Sequence, residues 1–328
     1  MGELDMTSRP NQAAFHGKGW RPRTEGMAAE VRGGRGIWAP WRVDSEYRRL
    51  EAIVLHRPGA EIGMIREPNK IQHLARIETA ALAVEFRRIA AAFRKLGVKV
   101  YEIEHAFEGR PWPRKHNLMF VRDLFLNTPE GAIVSRMASV VRAGEEKHAA
   151  RTLADLGIPI LRTISGRGLF EGADALWLDA RTVLCGVGNR TNAEGFRQLR
   201  ETLGAQGVET FAVELPRGIQ HLLGILQVVD SHLALLRCEL ASKKIAAFLK
   251  RKAIRVVPVR ETDETRQRQG MNIVTAAPRT ILMPQGCPEL KRQYLKAGIR
   301  VAAELDIRQL LRGAGGLACA VGILSRKT

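Results

Sequence analysis

The amino-acid sequence predicts an α/β protein built as a closed five-bladed αβ propeller, with repeated strand–strand–helix–strand units around a central pocket. The main observation is a pattern that recurs five times: an amphipathic helix, a small turn residue and a short β-branched strand. The turn residues stand at positions 97, 157, 207, 253 and 298. A second observation is that a polar side chain lies at the same place in four of the units. A closed ring is expected to bring those side chains together at its axis.

The first 45 residues differ in composition from the rest of the chain. They are rich in Gly, Arg and Pro and have no apolar periodicity, which predicts an irregular arm. Residues 46–328 carry the repeat and are predicted to form a single domain. The stretch Met1–Pro10 has no apolar core, so the sequence predicts no secretory signal there.

The clearest unit begins with a helix whose apolar residues recur at intervals of three and four. Leu82, Phe86 and Ile89 belong to this stripe, and Gly97 ends the helix, as suits a chain that turns left-handed there. The strands after the turns are predicted at Val98–Tyr101, Ile158–Ile160, Val208, Ile254–Val257 and Ile299–Val301. Strand pairs are predicted at Met119–Phe125 with Ala132–Arg136, Ala175–Leu178 with Thr182–Val187, and Gly224–Val229 with Leu233–Arg237.

The chain carries 52 basic and 34 acidic residues, a net charge of +18. The excess is spread thinly, and only 5% of the residues are aromatic, so few rings are available to stack on bases. We therefore interpret the charge as a solvated basic surface and not as a nucleic-acid site. No run of eighteen apolar residues occurs, which predicts that no segment crosses a membrane. Four cysteines without a CxxC pair favour a reducing cytoplasm and give no sign of a zinc ribbon.

The polar positions of the repeat carry residues that are common in active sites. The first unit has Asp123, the second Glu171 with Asp174, the third His221 and the last Cys319. Taken singly, each has a structural interpretation: a local ion pair, a turn, a satisfied histidine or a buried thiol. Their equivalent places in the repeat favour a shared site instead.

These side chains have a common chemistry if a planar cation lies among them. Two inward-facing carboxylates repel each other unless a cation separates them, and a guanidinium matches the forked geometry of a carboxylate. A thiolate and an imidazole beside that cation suit attack on its central carbon. The bound positive charge also lowers the pKa of the thiol, so the nucleophile forms where the substrate binds.

Several short motifs in a fixed order carry a family resemblance. They are Phe120-Val121-Arg122-Asp123, Phe170-Glu171-Gly172-Ala173-Asp174, Gly188-Asn189-Arg190-Thr191-Asn192, His221-Leu222, and Gly315-Gly316-Leu317-Ala318-Cys319 with Arg326 seven residues later. In these motifs the chain resembles the guanidino-modifying penteins, a group of arginine deiminases, dimethylargininases and amidinotransferases. The resemblance implies the five-bladed fold. It also implies that residues 46–328 are a catalytic domain that needs no metal or organic cofactor.

The resemblance implies a role for each residue. Cys319 resembles the nucleophile that attacks the guanidinium carbon and forms a thiouronium intermediate. His221 is similar in place to the general acid for the departing amine and then the base for water. The remaining implied roles are the guanidinium clamp for Glu171 and Asp123, support of the clamp loop for Asp174, and binding of the amino-acid carboxylate for Arg190 and Arg142.

One position departs from the family pattern. In deiminases and amidinotransferases an aspartate stands two residues after the histidine, and here that residue is Leu223. An unsubstituted guanidinium leaves an N–H unpaired there, at a cost of about 1–3 kcal/mol, whereas a methylated one does not. The favoured substrate is therefore an Nω-methylated arginine, hydrolysed to citrulline and a methylamine, with arginine itself as the closest rival.

Other interpretations are left open by the sequence. Amidino transfer uses the same residues, and plain surface charge is an equal alternative for Arg142. A non-enzymatic protein with the same ring, similar to ribosome-subunit anti-association factors, would bind RNA. The net charge of +18 favours that alternative, and the presence of Cys319 and His221 opposes it. The predicted partner is a small guanidino compound, and the oligomeric state is left open.

Overall fold

The structure is a computed structural model, and it describes residues 13–33, 36–103 and 115–327. Within these residues the strands form five sheets of three strands each. The strands are β1 Leu50–Leu55, β2 Lys99–Glu102, β3 Phe125–Asn127, β4 Ala132–Val134, β5 Ile160–Thr163, β6 Ala175–Asp179, β7 Thr182–Val187, β8 Glu209–Glu214, β9 Leu226–Asp230, β10 Leu233–Arg237, β11 Arg255–Val259, β12 Val274–Ala277, β13 Thr280–Pro284, β14 Arg300–Leu305 and β15 Gly322–Arg326. The helices are α1 Met27–Gly33, α2 Thr79–Lys95, α3 Glu146–Asp155, α4 Ala193–Gly204, α5 Lys243–Arg251, α6 Asp263–Arg266, α7 Pro288–Lys296 and α8 Arg308–Arg312.

The sheets share one topology. In the sheet β3–β4–β5, β3 and β4 are antiparallel neighbours, while β4 and β5 are parallel. Helix α3 connects the parallel pair, because parallel neighbours need a crossover and cannot be joined by a tight turn. Three further sheets repeat this arrangement with α4, α5 and α7 as their crossover helices. The predicted strand–strand–helix–strand unit and the five-unit α/β architecture are therefore confirmed.

The first sheet is assembled from opposite ends of the chain. β15 pairs antiparallel with β1, with Ile323 opposite Ile53, and β1 pairs in parallel with β2. The last strand thus completes the first unit and closes the ring, which brings the segment before β15 to the axis. The sequence analysis did not predict this pairing, because strands so far apart in the chain share no local turn that would signal their partnership.

The five turn residues of the repeat all have left-handed backbone conformations. Gly97, Gly157, Gly207 and Gly298 have φ angles of 79°, 75°, 73° and 80°, and Ala253 has a φ of 56°. In each case the amide of the next residue donates to a carbonyl in the last turn of the preceding helix, as in the usual glycine-ended helix. Alanine takes this conformation at a cost of roughly 1–2 kcal/mol, so Ala253 is the strained member of the set.

The predicted strand Met119–Phe125 is wrong. Residues Val121–Asp123 form a 3₁₀ turn, and β3 begins only at Phe125. The amide of Arg122 donates to the carbonyl of Cys319 at 3.0 Å, so this backbone is bonded to the C-terminal segment and not to a strand ladder. The apolar residues of this stretch are buried because they lie at the axis, which explains why they resembled a strand.

Equivalent turns precede two other strands. Gly172–Asp174 precedes β6, and Leu222–Gly224 precedes β9, which shortens the strand predicted to begin at Gly224. Glu171 and His221 stand immediately before these turns. The polar residues singled out from the sequence therefore lie in or beside turns at the starts of strands, not inside the strands as predicted.

The N-terminal stretch contains helical segments where an irregular arm was predicted. Ala13–Phe15 form a 3₁₀ turn, and α1 follows it. The amide of Ala39 donates to the carbonyl of Gly157 at 3.0 Å, so the end of this stretch is bonded to the second unit. The remainder of the predicted arm, residues 1–12 and 34–35, lies outside the described residues. The boundary between residues 45 and 46 stays a prediction.

The crossover helices bury one face against the sheets. In α2 the apolar stripe predicted from the sequence is buried, with Leu82, Phe86, Ile89 and Phe93 each at most 2% exposed. Burial of such a stripe supplies most of the stability of a surface helix. Among the described residues, no helix combines the length and apolar character needed to span a bilayer.

Candidate active site

The turns at the strand starts bring His221 into contact with two carboxylates. The Nε2 of His221 donates to Oε2 of Glu171 at 2.7 Å, and its Nδ1 lies 3.9 Å from Oδ1 of Asp123. All three side chains are buried. Cys319 joins His221 and Asp123 in the wall of one small cavity. The four residues that the sequence placed at equivalent positions of the repeat are thus neighbours at the axis.

The backbone three and four residues before Cys319 is packed closely against two side chains. A Cβ on Gly315 would lie 2.2 Å from the ring of Phe120, and one on Gly316 would lie 2.5 Å from the amide carbon of Asn272. Such distances are shorter than ordinary contacts, so a larger residue at either position would have to displace its neighbour. The absence of side chains at Gly315 and Gly316 therefore allows Phe120 and Asn272 to pack closely against this backbone.

Both polar atoms of the Asn272 side-chain amide form hydrogen bonds to the segment that contains Cys319. Its Nδ2 donates to the sulfur of Cys319 at 3.1 Å, and its Oδ1 accepts from the amides of Ala318, at 2.6 Å, and Cys319, at 3.3 Å. Burial raises the pKa of the Cys319 thiol to about 11, and the nearby Asp123 carboxylate acts in the same direction. The free site therefore holds a protonated thiol near neutral pH.

The charge of His221 is set by its two acidic neighbours. Burial opposes the imidazolium form, but the Asp123 carboxylate and the hydrogen bond to Glu171 outweigh it and raise the pKa of His221 to about 9. With both ring nitrogens protonated, the side chain is a proton donor at neutral pH. A general acid for a departing amine needs this state.

Glu171 is occupied by protein donors on both oxygens. Oε1 accepts from the amide of Ala138 at 3.2 Å and from Arg190 at 3.3 Å, and Oε2 accepts from His221. Burial opposes its ionisation, but the hydrogen bond and charge of His221 and the nearby arginines hold its pKa well below the usual range. In this arrangement Glu171 orients His221. Its implied role in a guanidinium clamp requires one of these contacts to open, and it stays a prediction.

Arg142 lies inward, against the other carboxylate. Its guanidinium donates to Oδ2 of Asp123 at 2.5 Å and to Glu145 at 2.8 Å, and it reaches the carbonyls of Asn117 and Phe120 at 3.3 Å. Oδ1 of Asp123 is buried and has no hydrogen-bond partner among the described residues. Asp123 therefore keeps one oxygen available for a bound cation. The implied binding of a substrate carboxylate by Arg142 stays a prediction, because its donors already have acceptors.

Asp174 lies behind the site and not on its surface. Its carboxylate accepts from the hydroxyl of Thr191 at 2.6 Å and from the amide of Leu222 at 3.0 Å. Full burial raises its pKa to about 7. The amide of Glu171 donates to the same Thr191 hydroxyl at 3.3 Å. Asp174 thus connects the backbone beside His221 to the Glu171 turn, and its implied supporting role stays a prediction.

Two residues of the site escaped the sequence analysis. Asn272 stands two positions before β12, the first strand of the remaining unit, which is the place where the other units carry polar groups. The repeat itself could therefore have identified it. Glu145 is fully buried and forms an ion pair with Arg142, three residues before it. No pattern in the sequence indicates this pair, because it depends on Arg142 facing the interior of the folded protein.

Asp123, Glu171 and His221 also form a potential metal-ligand set. Their donor atoms lie within 4.8 Å of one another. However, Arg142 contacts Asp123 and lies 3.9 Å from Glu171, and a ligand histidine must be neutral, whereas the pKa of His221 is raised. The cluster already contains the cations that balance its carboxylates, so its chemistry does not fit a resident metal. The absence of a metal stays a prediction.

Cys319 and His221 line two cavities. One, of about 190 Å³, is lined also by Leu223 and Asn272, and we name it the Leu223 cavity. The other, of about 20 Å³, is lined also by Asp123 and Arg190, and we name it the Arg190 cavity. Beyond it, a more open cavity of about 340 Å³ again includes Arg190. A substrate with a long chain on one side of its guanidinium can therefore reach both reactive groups.

Comparison with known proteins matches most of the chain to one family. A family model described as N,N dimethylarginine dimethylhydrolase, eukaryotic, matches residues 53–325. An N(G),N(G)-dimethylarginine dimethylaminohydrolase from Pseudomonas aeruginosa is 25% identical over 209 residues, 64% of this chain and 77% of that protein. An uncharacterized protein from Aeropyrum pernix is 27% identical over 188 residues, 57% of this chain, and the chain covers 65% of that relative's length.

Two solved structures have the same fold. A mutant of the Pseudomonas aeruginosa dimethylarginine dimethylaminohydrolase, in complex with citrulline, has a TM-score of 0.67 at 19% identity, covering 85% of this chain and 100% of that chain. The inosamine-phosphate amidinotransferase of Streptomyces griseus has a TM-score of 0.67 at 16% identity, covering 88% of this chain and 97% of that chain. Together with the family match, these structures confirm the resemblance to the guanidino-modifying penteins.

Proposed function

The chain belongs to the N,N dimethylarginine dimethylhydrolase family, and on that premise we propose that it hydrolyses the guanidino group of an Nω-methylated arginine to citrulline and a methylamine. The observation that carries the proposal is the placement of Cys319, His221 and Asp123 in the wall of one cavity. A thiol, a protonated imidazole and a carboxylate with a free oxygen are the groups that the reaction requires.

Substrate binding prepares the nucleophile. The free Oδ1 of Asp123 accepts an N–H of the substrate guanidinium, and the amino-acid end extends past Arg190. The guanidinium places a positive charge beside the Cys319 sulfur, where the thiol pKa is raised to about 11 in the free site. That charge lowers the thiol pKa and favours the thiolate only when substrate is bound.

The reaction then proceeds through a covalent intermediate. The Cys319 thiolate forms a bond to the guanidinium carbon, and His221 gives its proton to the methylated nitrogen as the carbon–nitrogen bond breaks. The amine departs and leaves a thiouronium on Cys319. Neutral His221 takes a proton from water, whose oxygen bonds to the same carbon, and the carbon–sulfur bond breaks to return the thiolate. The products are citrulline and the methylamine.

The role of the carboxylates follows from their contacts. Glu171 holds the imidazole through Nε2 and stabilises its charged form. Arg142 fixes the other oxygen of Asp123, so that the free oxygen has one orientation. Both interactions are preorganised and buried, which is where a hydrogen bond to a charged group contributes most.

Leu223 supports the choice of a methylated substrate. Its side chain is 4% exposed and lines the Leu223 cavity beside Cys319 and His221. Methyl groups on the leaving nitrogen pack against this side chain, whereas the Leu223 side chain itself offers no acceptor to an unsubstituted nitrogen. One alternative reaction is hydrolysis of arginine itself. A second alternative is transfer of the amidino group to an amine, since the Leu223 cavity has room for an incoming amine.

Turnover of matched substrates tests this proposal. Purified protein is incubated separately with Nω,Nω-dimethylarginine, Nω-methylarginine and arginine, and both citrulline and the released amine are quantified. We expect citrulline together with dimethylamine or methylamine, and at least about tenfold slower turnover of arginine. Turnover of arginine alone would contradict the methylated choice. RNA binding that weakens with salt, without any thiol-dependent turnover, would instead favour the non-enzymatic alternative. A cytoplasmic location and the absence of a cofactor stay predictions.

A further inference from the structure

The Leu223 cavity is larger than the proposed substrate needs. Its volume is about 190 Å³, whereas a methyl group resembles in size a water molecule, whose share of liquid volume is about 30 Å³. Two methyl groups therefore fill only part of it. The Leu223 cavity and the Arg190 cavity share His221 and Cys319 in their walls, and Arg190 lines only the second of the two. With the amino-acid end of the substrate beside Arg190, the Leu223 cavity is left for the departing nitrogen.

Gly224 keeps part of this cavity open. A Cβ built there meets no atom within 4 Å, and the residue does not have the left-handed φ that would demand glycine. Two other wall residues, Gln269 and Ala314, have φ angles of 47° and 67°, which is strained for residues with side chains. Strain of this kind is typical of ligand-binding walls.

The charge of the cavity wall favours an anion. Two arginines, Arg237 and Arg266, line it, and none of its described wall residues is an aspartate or glutamate. Arg237 is neutralised by Glu261, which accepts from both ends of its guanidinium. Arg266 is exposed, and within the described part of the chain its guanidinium donates to the backbone carbonyl of Glu261 and to no other group. Among the described residues, no carboxylate forms a salt bridge with Arg266.

We propose that the Leu223 cavity binds an amine that is longer than methylamine and ends in a carboxylate, with the carboxylate on Arg266. The inference rests on the proposed function and names the class of amine attached to the guanidino carbon. Such an amine can reach the cavity in two ways. The amine departs in the hydrolysis of an Nω-(carboxyalkyl)arginine, or it arrives as the acceptor in amidino transfer.

The transfer reaction balances with the groups already in the site. In amidino transfer from arginine, Cys319 bonds to the guanidino carbon and His221 protonates Nδ of the substrate, so that the bond between that carbon and Nδ breaks, ornithine departs and the amidino group stays on Cys319 as a thiouronium. The nitrogen of the incoming amine then bonds to this carbon, and neutral His221 takes one proton from that nitrogen. The carbon–sulfur bond then breaks and returns the thiolate. The product is the guanidino derivative of the amine, and no oxidant, reductant or further reactant is consumed.

A series of arginines that differ only in the substituent on Nω tests the proposal. Arginines that carry methyl, propyl or 3-carboxypropyl on Nω all release citrulline on hydrolysis, so kcat/KM is compared through one product. We expect the carboxypropyl compound to exceed the propyl compound about tenfold, because a charge-assisted hydrogen bond to Arg266 is gained. A parallel arm offers arginine with 4-aminobutyrate or propylamine as acceptor and measures the new guanidino product. Equal rates within the pairs in both arms would overturn the proposal.

Two variants connect the effect to the cavity. Arg266→Gln is expected to reduce the carboxypropyl-to-propyl ratio to about one, while the control Arg292→Gln, at an exposed site outside the cavity, leaves the ratio unchanged. Gly224→Leu is expected to lower kcat/KM for the propyl and carboxypropyl compounds at least about tenfold relative to the methyl compound, because its side chain occupies open space. An unchanged ratio in Arg266→Gln, or an unchanged length dependence in Gly224→Leu, would contradict the assignment.

Failure of this inference is distinguishable from failure of the proposed function. If methylarginine is hydrolysed and the longer compounds are not, the chemistry stands and the cavity assignment is wrong. If only the carboxypropyl compound or the carboxylate acceptor reacts, the cavity assignment stands and the choice of a methylated substrate is wrong. If no compound reacts at Cys319, both are wrong.

Discussion

The two sides of the Cys319–His221 pair are built differently. On the Arg190 side the carboxylates and Arg142 are buried, and the carboxylates are bonded to arginines. Both oxygens of Glu171 accept a hydrogen bond from the protein. On the Leu223 side the wall is partly apolar, includes Gly224 and has a single unpaired arginine. The bonded side fixes charges and protons for the chemistry, and the open side selects what is attached to the reacting carbon. Substitutions on the two sides should therefore have different consequences.

The largest effect is expected at the sulfur between the two sides. Cys319→Ser should reduce citrulline formation at least about 10⁴-fold, because a serine hydroxyl cannot replace a thiolate at this carbon. Cys238→Ser, at an exposed cysteine outside both cavities, is the matched control and should retain full activity. Substantial activity in Cys319→Ser would contradict the assignment of Cys319 as the nucleophile.

On the bonded side, the next largest effect is expected at Glu171. Glu171→Gln keeps the size of the side chain but removes the charge that stabilises the imidazolium of His221. We expect kcat to fall about 10²-fold, with a smaller change in KM, since the residue touches His221 and not a cavity wall. Glu194→Gln, on the exposed face of α4, controls for loss of a carboxylate. A change in KM alone would instead favour the guanidinium clamp implied by the sequence.

The pH profile tests the charges themselves. The reactive form has a thiolate at Cys319 and an imidazolium at His221, whose pKa values in the free enzyme are raised to about 11 and about 9. The value of kcat/KM should rise as the pH increases through about 9, where the Cys319–His221 pair loses its first proton. It should fall above about pH 11, where the pair loses its second proton. Asp123→Asn should move both limbs to lower pH, because its charge raises both pKa values. Limbs at or below neutral pH in the free enzyme would contradict this picture.

The smallest effect is expected on the open side. Leu223→Asp supplies the carboxylate found at this position in deiminases, so the ratio of arginine to dimethylarginine turnover should increase about tenfold. Leu223→Met serves as the control, because it conserves volume and polarity. Competition between the two substrates in one reaction measures the ratio directly. An unchanged ratio would show that Leu223 does not select the leaving nitrogen.

The same contrast explains what the sequence could predict. The repeat and its turn residues are local signals, so five units and the left-handed positions at Gly97 and Ala253 followed from spacing alone. The pairing of β15 with β1 is non-local, and so is the inward turn of Arg142 toward Asp123. The false strand Met119–Phe125 arose because apolar residues at the axis are buried whether they form a strand or a turn.

The contents of the site were predictable where chemistry and repeat position agreed. Cys319, His221, Glu171 and Asp123 stood out on both counts, and the structure brings them together. Asn272 had the repeat position without an ionisable group and was missed. The size and charge of the Leu223 cavity had no sequence signal, since its wall is assembled from several units.

The central claim is that the Cys319 sulfur becomes covalently bound to the guanidino carbon. Protein mixed with Nω,Nω-dimethylarginine is acid-quenched within the first turnovers, digested and analysed by mass spectrometry. We expect a thiouronium adduct on the peptide that contains Cys319, and we expect no adduct in Cys319→Ser. Citrulline formation without an adduct at any time, or an adduct confined to Cys185, Cys238 or Cys287, would contradict it.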